Sequence, residues 1–178
     1  MKRTHGFLYV ASNTTDQLIQ NVSQTLKNFP DAQIVVVDIS SQDVSKHKAA
    51  LHDLSGEIEY IQSKDASRFH AFNLGLAALD SQWAIFRTDT DMFHEQVTHA
   101  LTTIYPEADI IVANYSDEGV LHSEMTMDRP IESVIFRSEV LAQAGAFDAA
   151  GNSDAQYMNN LPTSLRVVHS PEVILEKK

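Results

Sequence analysis

The stretch QIVVVD, Gln33–Asp38, decides the fold class of this 178-residue chain. Its four central residues are all apolar and β-branched, so apolar and polar positions do not alternate. Such a run is typical of a strand that is covered on both faces, as in a parallel sheet flanked by helices. Because the strand ends on Asp38, we expect a carboxylate at the carboxyl edge of that sheet.

Helix and strand patterns alternate on both sides of this stretch. GFLYVA, residues 6–11, predicts a preceding strand, and a one-sided apolar pattern predicts a helix that begins at Thr15 or Asp16. The further predicted helices span residues 41–54, 66–79, 94–105, 138–145 and 155–161. The further predicted strands span residues 58–61, 82–86, 108–113 and 133–137. Two short strands are predicted at RVV and VIL near the end. Residues 115–130 have an irregular pattern. The alternation predicts an α/β fold, a single Rossmann-like domain whose mostly parallel central sheet is flanked by helices.

The composition limits the classes of function. A formal net charge of −11 repels phosphate backbones, which argues against a nucleic-acid partner. The chain has no cysteine, which excludes disulfides, thiolate metal sites and cysteine nucleophiles. The absence of cysteine fits a reducing compartment, so we expect a cytoplasmic location. No apolar run approaches the roughly 18 residues that a membrane span requires, so we expect no membrane span. The sequons at Asn13, Asn21 and Asn114 are therefore interpreted as chance matches.

Two aspartates one residue apart, Asp89 and Asp91, follow a predicted strand in the stretch AIFRTDTDMFHE. In an extended segment both carboxylates project to the same side, where a divalent cation would relieve their mutual repulsion. Ligands of α/β sheets bind beyond the carboxyl ends of the strands, so we expect Asp38 to face the same crevice. The alternative is a polar turn, where aspartate is common.

Two other aspartates each allow two interpretations. Asp38 either accepts hydrogen bonds from a base or ribose, or caps the helix predicted to begin near Ser41. Asp154, in GNSDAQYM, is either a general base or a helix cap. The chain lacks GxSxG, the P-loop pattern GxxxxGK followed by Ser or Thr, and a GxGxxG after the first strand. These absences argue against serine hydrolases, P-loop enzymes and ordinary dinucleotide oxidoreductases.

Four stretches, in order along the chain, resemble the motifs of the family 2 glycosyltransferases, which have the GT-A fold. QIVVVDISSQD is similar to the early segment that ends in VDDGSTD, and RFHAFNLGLAALDSQWAIFRTDTD is similar to the run from ARNLGL to the DxD motif. SVIFRSEVLAQAGAFD resembles the later segment that ends in GGFD, and NSDAQYMNNL resembles the ED segment that follows it. The resemblance covers residues 7–161, and it depends on the ordered set rather than on any one motif.

This resemblance implies an activity and its partners. It implies a GT-A-like domain with a nucleotide-binding half over residues 1–92 and an acceptor-side half over residues 93–178. The implied reaction moves a sugar from a nucleotide-diphosphate donor to an acceptor hydroxyl, with inversion at the anomeric carbon. Manganese or magnesium is the implied cofactor.

The resemblance also implies roles for single residues. Asp154 matches the catalytic base, and Asp89 and Asp91 match the metal-binding DxD pair. The residues implied to contact the nucleotide-sugar are Asp38, Arg68, Asn73, Gly75 and Asp89.

Three positions depart from the family pattern. Ile39, Phe72 and Ser153 stand where the family has an aspartate, an arginine and a glutamate. These departures leave open a nucleotide-sugar-binding module of the same fold that has no turnover. A third reading, a phosphatase of the haloacid dehalogenase type, is suggested by DTDMF, but that family's motif follows the first strand and has Thr or Val where Phe93 stands.

Overall fold

A computed structural model describes residues 2–12, 15–40, 45–148 and 153–178. Within these ranges nine strands form one sheet, and six α-helices flank it. The structure confirms the predicted α/β class, with a single domain around a mostly parallel central sheet. None of the helices in the described ranges is long and apolar enough to cross a membrane.

The sheet has the strand order β3-β2-β1-β4-β8-β6-β9-β5, with β7 paired to β6. The strands are β1 Arg3–Ala11, β2 Gln33–Asp38, β3 Glu59–Gln62, β4 Ser81–Thr88, β5 Met92–Phe93, β6 Ile110–Asp117, β7 Val120–His122, β8 Val134–Arg137 and β9 Val167–Lys177. Strand β8 is antiparallel to both β4 and β6, and β9 is parallel to β6. Strands β1, β2, β4, β6 and β9 therefore run in one direction, and their carboxyl ends meet at one edge of the sheet.

The helices bury both faces of the sheet. They are α1 Thr15–Asn28, α2 Ser45–Leu54, α3 Arg68–Ala78, α4 Glu95–Ile104, α5 Ser138–Ala144 and α6 Asp154–Asn159. Side chains of α1, α2 and α4 join the apolar cluster on one face, and those of α3, α5 and α6 join the cluster on the other. Strand β2 contributes Ile34 and Val36 to the first cluster and Val35 and Val37 to the second, which explains its unbroken apolar run.

Two expectations about the chain's second half were wrong. The two valines of RVV and the whole of VIL belong to one long strand, β9, which contains Pro171 and pairs with β6 through register shifts at Asn114. The segment that looked irregular contains the end of β6 and a hairpin to β7. The turn of that hairpin has positive φ at Glu118 (48°) and Gly119 (80°), the conformation of a two-residue turn between antiparallel strands.

Candidate functional site

A cleft of about 520 Å³ opens at the carboxyl edge of the sheet. Its walls come from the ends of β4, β6 and β9, the start of α3 and the start of α6. Four basic residues line it: Arg68, Arg129, Lys177 and Lys178. Four carboxylates line it as well, those of Asp91, Asp128, Glu132 and Asp154. In a chain with a net charge of −11, the cleft therefore brings equal numbers of basic and acidic side chains together. A larger cavity of about 800 Å³ lies at the other end of the sheet, beside the start of β1, and contains none of the predicted site residues.

The two aspartates of the DTD sequence point to different neighbours. Asp89 is 2% exposed, and its carboxylate accepts hydrogen bonds from the backbone N–H (2.8 Å) and the hydroxyl (3.3 Å) of Ser12, at the end of β1. Asp91 lines the cleft and accepts from the hydroxyl of Thr88 at 2.9 Å and from the backbone N–H of Lys178 at 3.4 Å. The expectation that both carboxylates project to one side is wrong, because residues 89–91 form a bend rather than an extended segment.

A buried ion pair joins the two ends of this bend. Arg87 and Glu95 are 0% and 2% exposed, and two parallel N–H···O bonds of 2.9 Å join them. Arg87 lies in β4 two residues before the bend, and Glu95 begins α4 four residues after it. The backbone N–H of His94 also donates to the carbonyl of Ile174 in β9 at 3.0 Å. The segment that carries Asp91 is thus fixed from both ends.

Arg68 and Asp154 form a second ion pair across the cleft wall. The guanidinium donates to both oxygens of Asp154, at 2.7 and 3.1 Å, and also to Glu132, which is 3% exposed. The backbone N–H of Ile131 donates to Asp154 at 2.9 Å. Burial alone would lower the pKa of Arg68, but the carboxylates of Glu132 and Asp154 outweigh it and raise that pKa above its ordinary value. Arg68 is therefore a permanent cation shared by two carboxylates.

The start of α6 explains one departure from the family pattern. Ser153 is the N-cap of the helix: its hydroxyl accepts from the backbone N–H of Gln156, whose side chain accepts from the backbone N–H of Ser153. The interpretation of Asp154 as the helix cap is therefore wrong, because Ser153 takes that position. Asp154 is the first helical residue, and its carboxylate is directed to Arg68 and the cleft.

Asp38 lies at the same edge of the sheet as Asp91 but is not among the residues that line this cleft. It is 0% exposed, and it accepts hydrogen bonds from the backbone N–H of Ser40 and the hydroxyl of Tyr60, both at 2.8 Å. Burial, together with Asp38, raises the pKa of Tyr60 above its ordinary value. The Asp38 carboxylate also lies 3.4 Å from Nδ1 of His47 in α2. The described contacts of Asp38 are thus with a turn, a tyrosine and a histidine of the protein itself. Residues 41–44, where it was expected to cap a helix, lie outside the described ranges.

Asn73 and Gly75 make contacts within the protein. The side-chain amide of Asn73 donates to the carbonyl of Phe147 at 2.8 Å and accepts from its N–H at 2.7 Å, so it ties α3 to the segment after α5. A Cβ at Gly75 would lie 2.5 Å from a methyl carbon of Leu8, so this glycine lets α3 approach β1. These contacts fix the position of α3, whose first residue, Arg68, lines the cleft.

Several cleft residues were missed by the sequence analysis. Glu132, Tyr115, Lys177 and Lys178 stand in no motif that points to a ligand. The pairing of β6 with β9 brings Tyr115 and the end of β9 to the cleft, and Glu132 reaches it from the 3-10 turn Ile131–Ser133 that precedes β8. Lys177 ends the strand that was read as two pieces, so its position beside the DTD turn followed from no local pattern.

The residues of the cleft fit a divalent metal that a phosphate ligand helps to hold. No group of three metal-ligating side chains occurs in the described ranges. Magnesium, however, is commonly held by only one or two carboxylates together with substrate phosphates and water. Asp91 is a carboxylate of the correct chemistry at the cleft, whereas Asp89 is directed to Ser12.

The chain has the fold of solved structures of S. aureus TarS. Neither the protein-family models nor the curated proteins give a match to the sequence. Among solved structures it is similar to S. aureus TarS 1–349, with a TM-score of 0.77 and 14% identity over 98% of this chain. The complexes of TarS 1–349 with UDP and with UDP-GlcNAc give TM-scores of 0.75 and 0.76, at 15% and 14% identity. This chain covers 60%, 60% and 58% of these three structures, so it spans less than two thirds of their length. At this identity the likeness shows the fold alone.

Proposed function

We propose that this protein is a glycosyltransferase that moves a sugar from a nucleotide-diphosphate donor to an acceptor hydroxyl, with a divalent metal and with inversion. The observation that carries the proposal is that Asp91 and Asp154 line one cleft together with four basic side chains. The fold supports it, since structures of this fold have been solved with UDP and with UDP-GlcNAc. We take UDP as the first nucleotide to test for the same reason.

On the donor side, residues 1–92 supply Asp91 as the protein ligand of the metal. When bound, the ion would neutralise negative charge on the leaving diphosphate. Asp89 holds the bend against β1. Lys177 and Lys178, at the end of β9, add positive charge beside Asp91 and strengthen the attraction of the cleft for a diphosphate.

On the acceptor side, residues 93–178 supply Asp154 as the general base. The acceptor oxygen forms a bond to the anomeric carbon while the bond from that carbon to the diphosphate oxygen breaks, and the hydroxyl proton passes to Asp154. Attack from the face opposite the leaving group inverts the anomeric configuration. Arg68 orients Asp154 through the hydrogen bonds that its guanidinium donates to both carboxylate oxygens.

A binding module without turnover is the second candidate. The observation that favours it is that Asp154 already accepts two hydrogen bonds from Arg68 and one from Ile131, which leaves fewer of its lone pairs for an acceptor hydroxyl. Sugar release separates the two candidates, because only an enzyme releases the sugar from its donor, whether or not an acceptor is present.

A thermal-shift panel of nucleoside diphosphates, each with and without manganese, tests the proposal. A ligand that binds the folded state raises the melting temperature by mass action. We expect a metal-dependent increase for at least one nucleotide and release of UDP from a matching sugar donor. A shift without sugar release would favour the binding module, and no shift with any nucleotide would overturn both candidates.

A further inference from the structure

One asparagine of α1 reaches both ends of the bend that carries Asp91. The side-chain amide nitrogen of Asn21 lies 3.2 Å from the carbonyl oxygen of Thr88 and 3.0 Å from that of Asp91. Thr88 ends β4 directly before the bend, and Asp91 is the last residue of the bend. A single NH₂ group has two hydrogens, so it can donate to both carbonyls at once.

The orientation of this amide is fixed by a neighbour. The side-chain NH₂ of Gln17, one helical turn earlier, donates to the side-chain oxygen of Asn21 at 3.0 Å. The oxygen of Asn21 is thereby occupied and its nitrogen is directed at the bend. Asn21 is 9% exposed, so water competes little for either bond.

Hydrogen bonds between Thr88 and Asp91 also stabilise the bend, in addition to those from Asn21. The backbone N–H of Asp91 donates to the hydroxyl oxygen of Thr88 at 3.2 Å, and that hydroxyl donates to the Asp91 carboxylate at 2.9 Å. Thr88 therefore orients the carboxylate within the bend, and Asn21 fixes the two backbone carbonyls between which the bend closes.

We propose that Asn21 is a positioning residue that holds the Asp91 carboxylate in the cleft for a metal-bound diphosphate. The proposal rests on the proposed function for the identity of the ligand, and on the two Asn21 bonds for its geometry. Replacement of partners that orient a metal ligand typically lowers metal affinity by about 10-fold to 100-fold. We expect a loss of that size when the amide of Asn21 is removed.

The isosteric variant Asn21→Asp gives the sharpest test. It keeps the shape and the oxygen that faces Gln17, but it replaces the donor with an oxygen that repels the two carbonyls. Asn114→Asp is the matched control: Asn114 is also buried, at 8% exposed, and its NH₂ donates to the carbonyl of Pro171 at 2.8 Å, in β9 and away from the bend. Asn21→Ser, which loses the amide without adding a charge, keeps the test available if the aspartate variant does not fold.

Two measurements decide the outcome: titration calorimetry of UDP with manganese, and hydrogen exchange of the backbone amides of Thr90 and Asp91. We expect both Asn21 variants to raise the Kd for UDP with manganese by about 10-fold or more and to speed exchange at both amides, and Asn114→Asp to change neither. Wild-type binding that the Asn21 variants retain in full, with unchanged exchange, would overturn this inference alone. A wild-type protein that binds no nucleotide with manganese would overturn the proposed function and this inference with it.

Discussion

The guanidinium of Arg68 donates to both carboxylate oxygens of Asp154, at 2.7 and 3.1 Å, while the same group contacts the buried carboxylate of Glu132. Arg68 begins α3 and Asp154 begins α6, so one cation joins the starts of two helices. The proposed base is therefore held in one orientation before any acceptor arrives. This preorganisation limits the entropy lost on reaching the reactive geometry.

Arg68→Met should lower kcat for sugar transfer by about 10-fold to 100-fold, because a misplaced catalytic group costs rate of that order. Removal of the guanidinium takes away the two hydrogen bonds that orient Asp154, and it leaves the buried carboxylate of Glu132 without its ion-pair partner. Arg68→Lys should restore part of the effect, since it keeps the charge but not the paired geometry. Steady-state kinetics of sugar transfer measure kcat and KM for each variant.

Arg166→Met is the control for Arg68. Arg166 also lies beside two carboxylates, those of Glu107 and Asp109, but its side chain is 63% exposed and lies outside the cleft. Its replacement should leave kcat and KM unchanged. An unchanged kcat in Arg68→Met would contradict the role of Arg68 in orienting Asp154 as the base.

Asp91→Asn and Asp89→Asn should have different effects, although the two residues belong to one motif. Asp91→Asn should abolish the metal-dependent part of UDP binding, because a neutral amide is a poor ligand for a hard cation. Asp89→Asn should instead lower the melting temperature by about 3–6 °C, because one of the two bonds from Ser12 meets an NH₂ group in place of an oxygen. Calorimetry for binding and a thermal scan for stability separate the two outcomes, and equal loss of binding in both variants would show that Asp89 is itself a metal ligand.

The sequence predicted those elements whose signal is local. Strand β2 was predicted with its observed bounds, because an unbroken β-branched run has one common explanation in an α/β protein. The hairpin between β6 and β7 was missed, although Gly119 in its turn was a usable signal. Strand β9 was read as two pieces because Pro171 interrupts it, and only the register shifts against β6 and the bond from Asn114 to the carbonyl of Pro171 show how the sheet tolerates that residue.

The sequence predicted which aspartates lie near the ends of strands and helices at the site, but it did not predict their hydrogen-bond partners. Asp91 and Asp154 were found by their motifs, and they line one cleft. The partners of Asp89, Asp38 and Asn73 lie far away in the chain, at Ser12, Tyr60 and Phe147, so no local pattern could predict them. The turn-forming alternative for the DTD sequence proved correct in its geometry.

Gly75→Ala should lower the free energy of unfolding by about 1–3 kcal/mol. The new Cβ would lie 2.5 Å from a methyl carbon of Leu8, which is itself 1% exposed and has no room to move away. Gly56→Ala is the control, because its nearest neighbour would lie 3.9 Å from the new Cβ, and it should change stability by no more than about 0.5 kcal/mol. Urea denaturation measures both variants, and equal stability would show that α3 can withdraw from β1 without cost.

His5 should make the protein less stable as the pH falls from about 6.5 to about 4. Burial, with the neighbouring His99, lowers the pKa of His5 to about 4 in the folded state, whereas an unfolded chain has the ordinary value of 6.5. Between these values the unfolded state binds more protons, so acidification favours unfolding, and below about pH 4 this contribution becomes constant. The expected loss of stability between pH 7.5 and pH 5 is on the order of 1–2 kcal/mol.

His5→Phe removes the titration and keeps an aromatic ring beside Phe29, from which the imidazole centroid lies 4.8 Å away. The urea midpoint should therefore fall less between pH 7.5 and pH 5 in His5→Phe than in the wild type. His52→Phe, which changes an exposed histidine, is the control and should behave like the wild type. An equal fall in all three proteins would mean that His5 titrates in the folded state as it does in the unfolded chain.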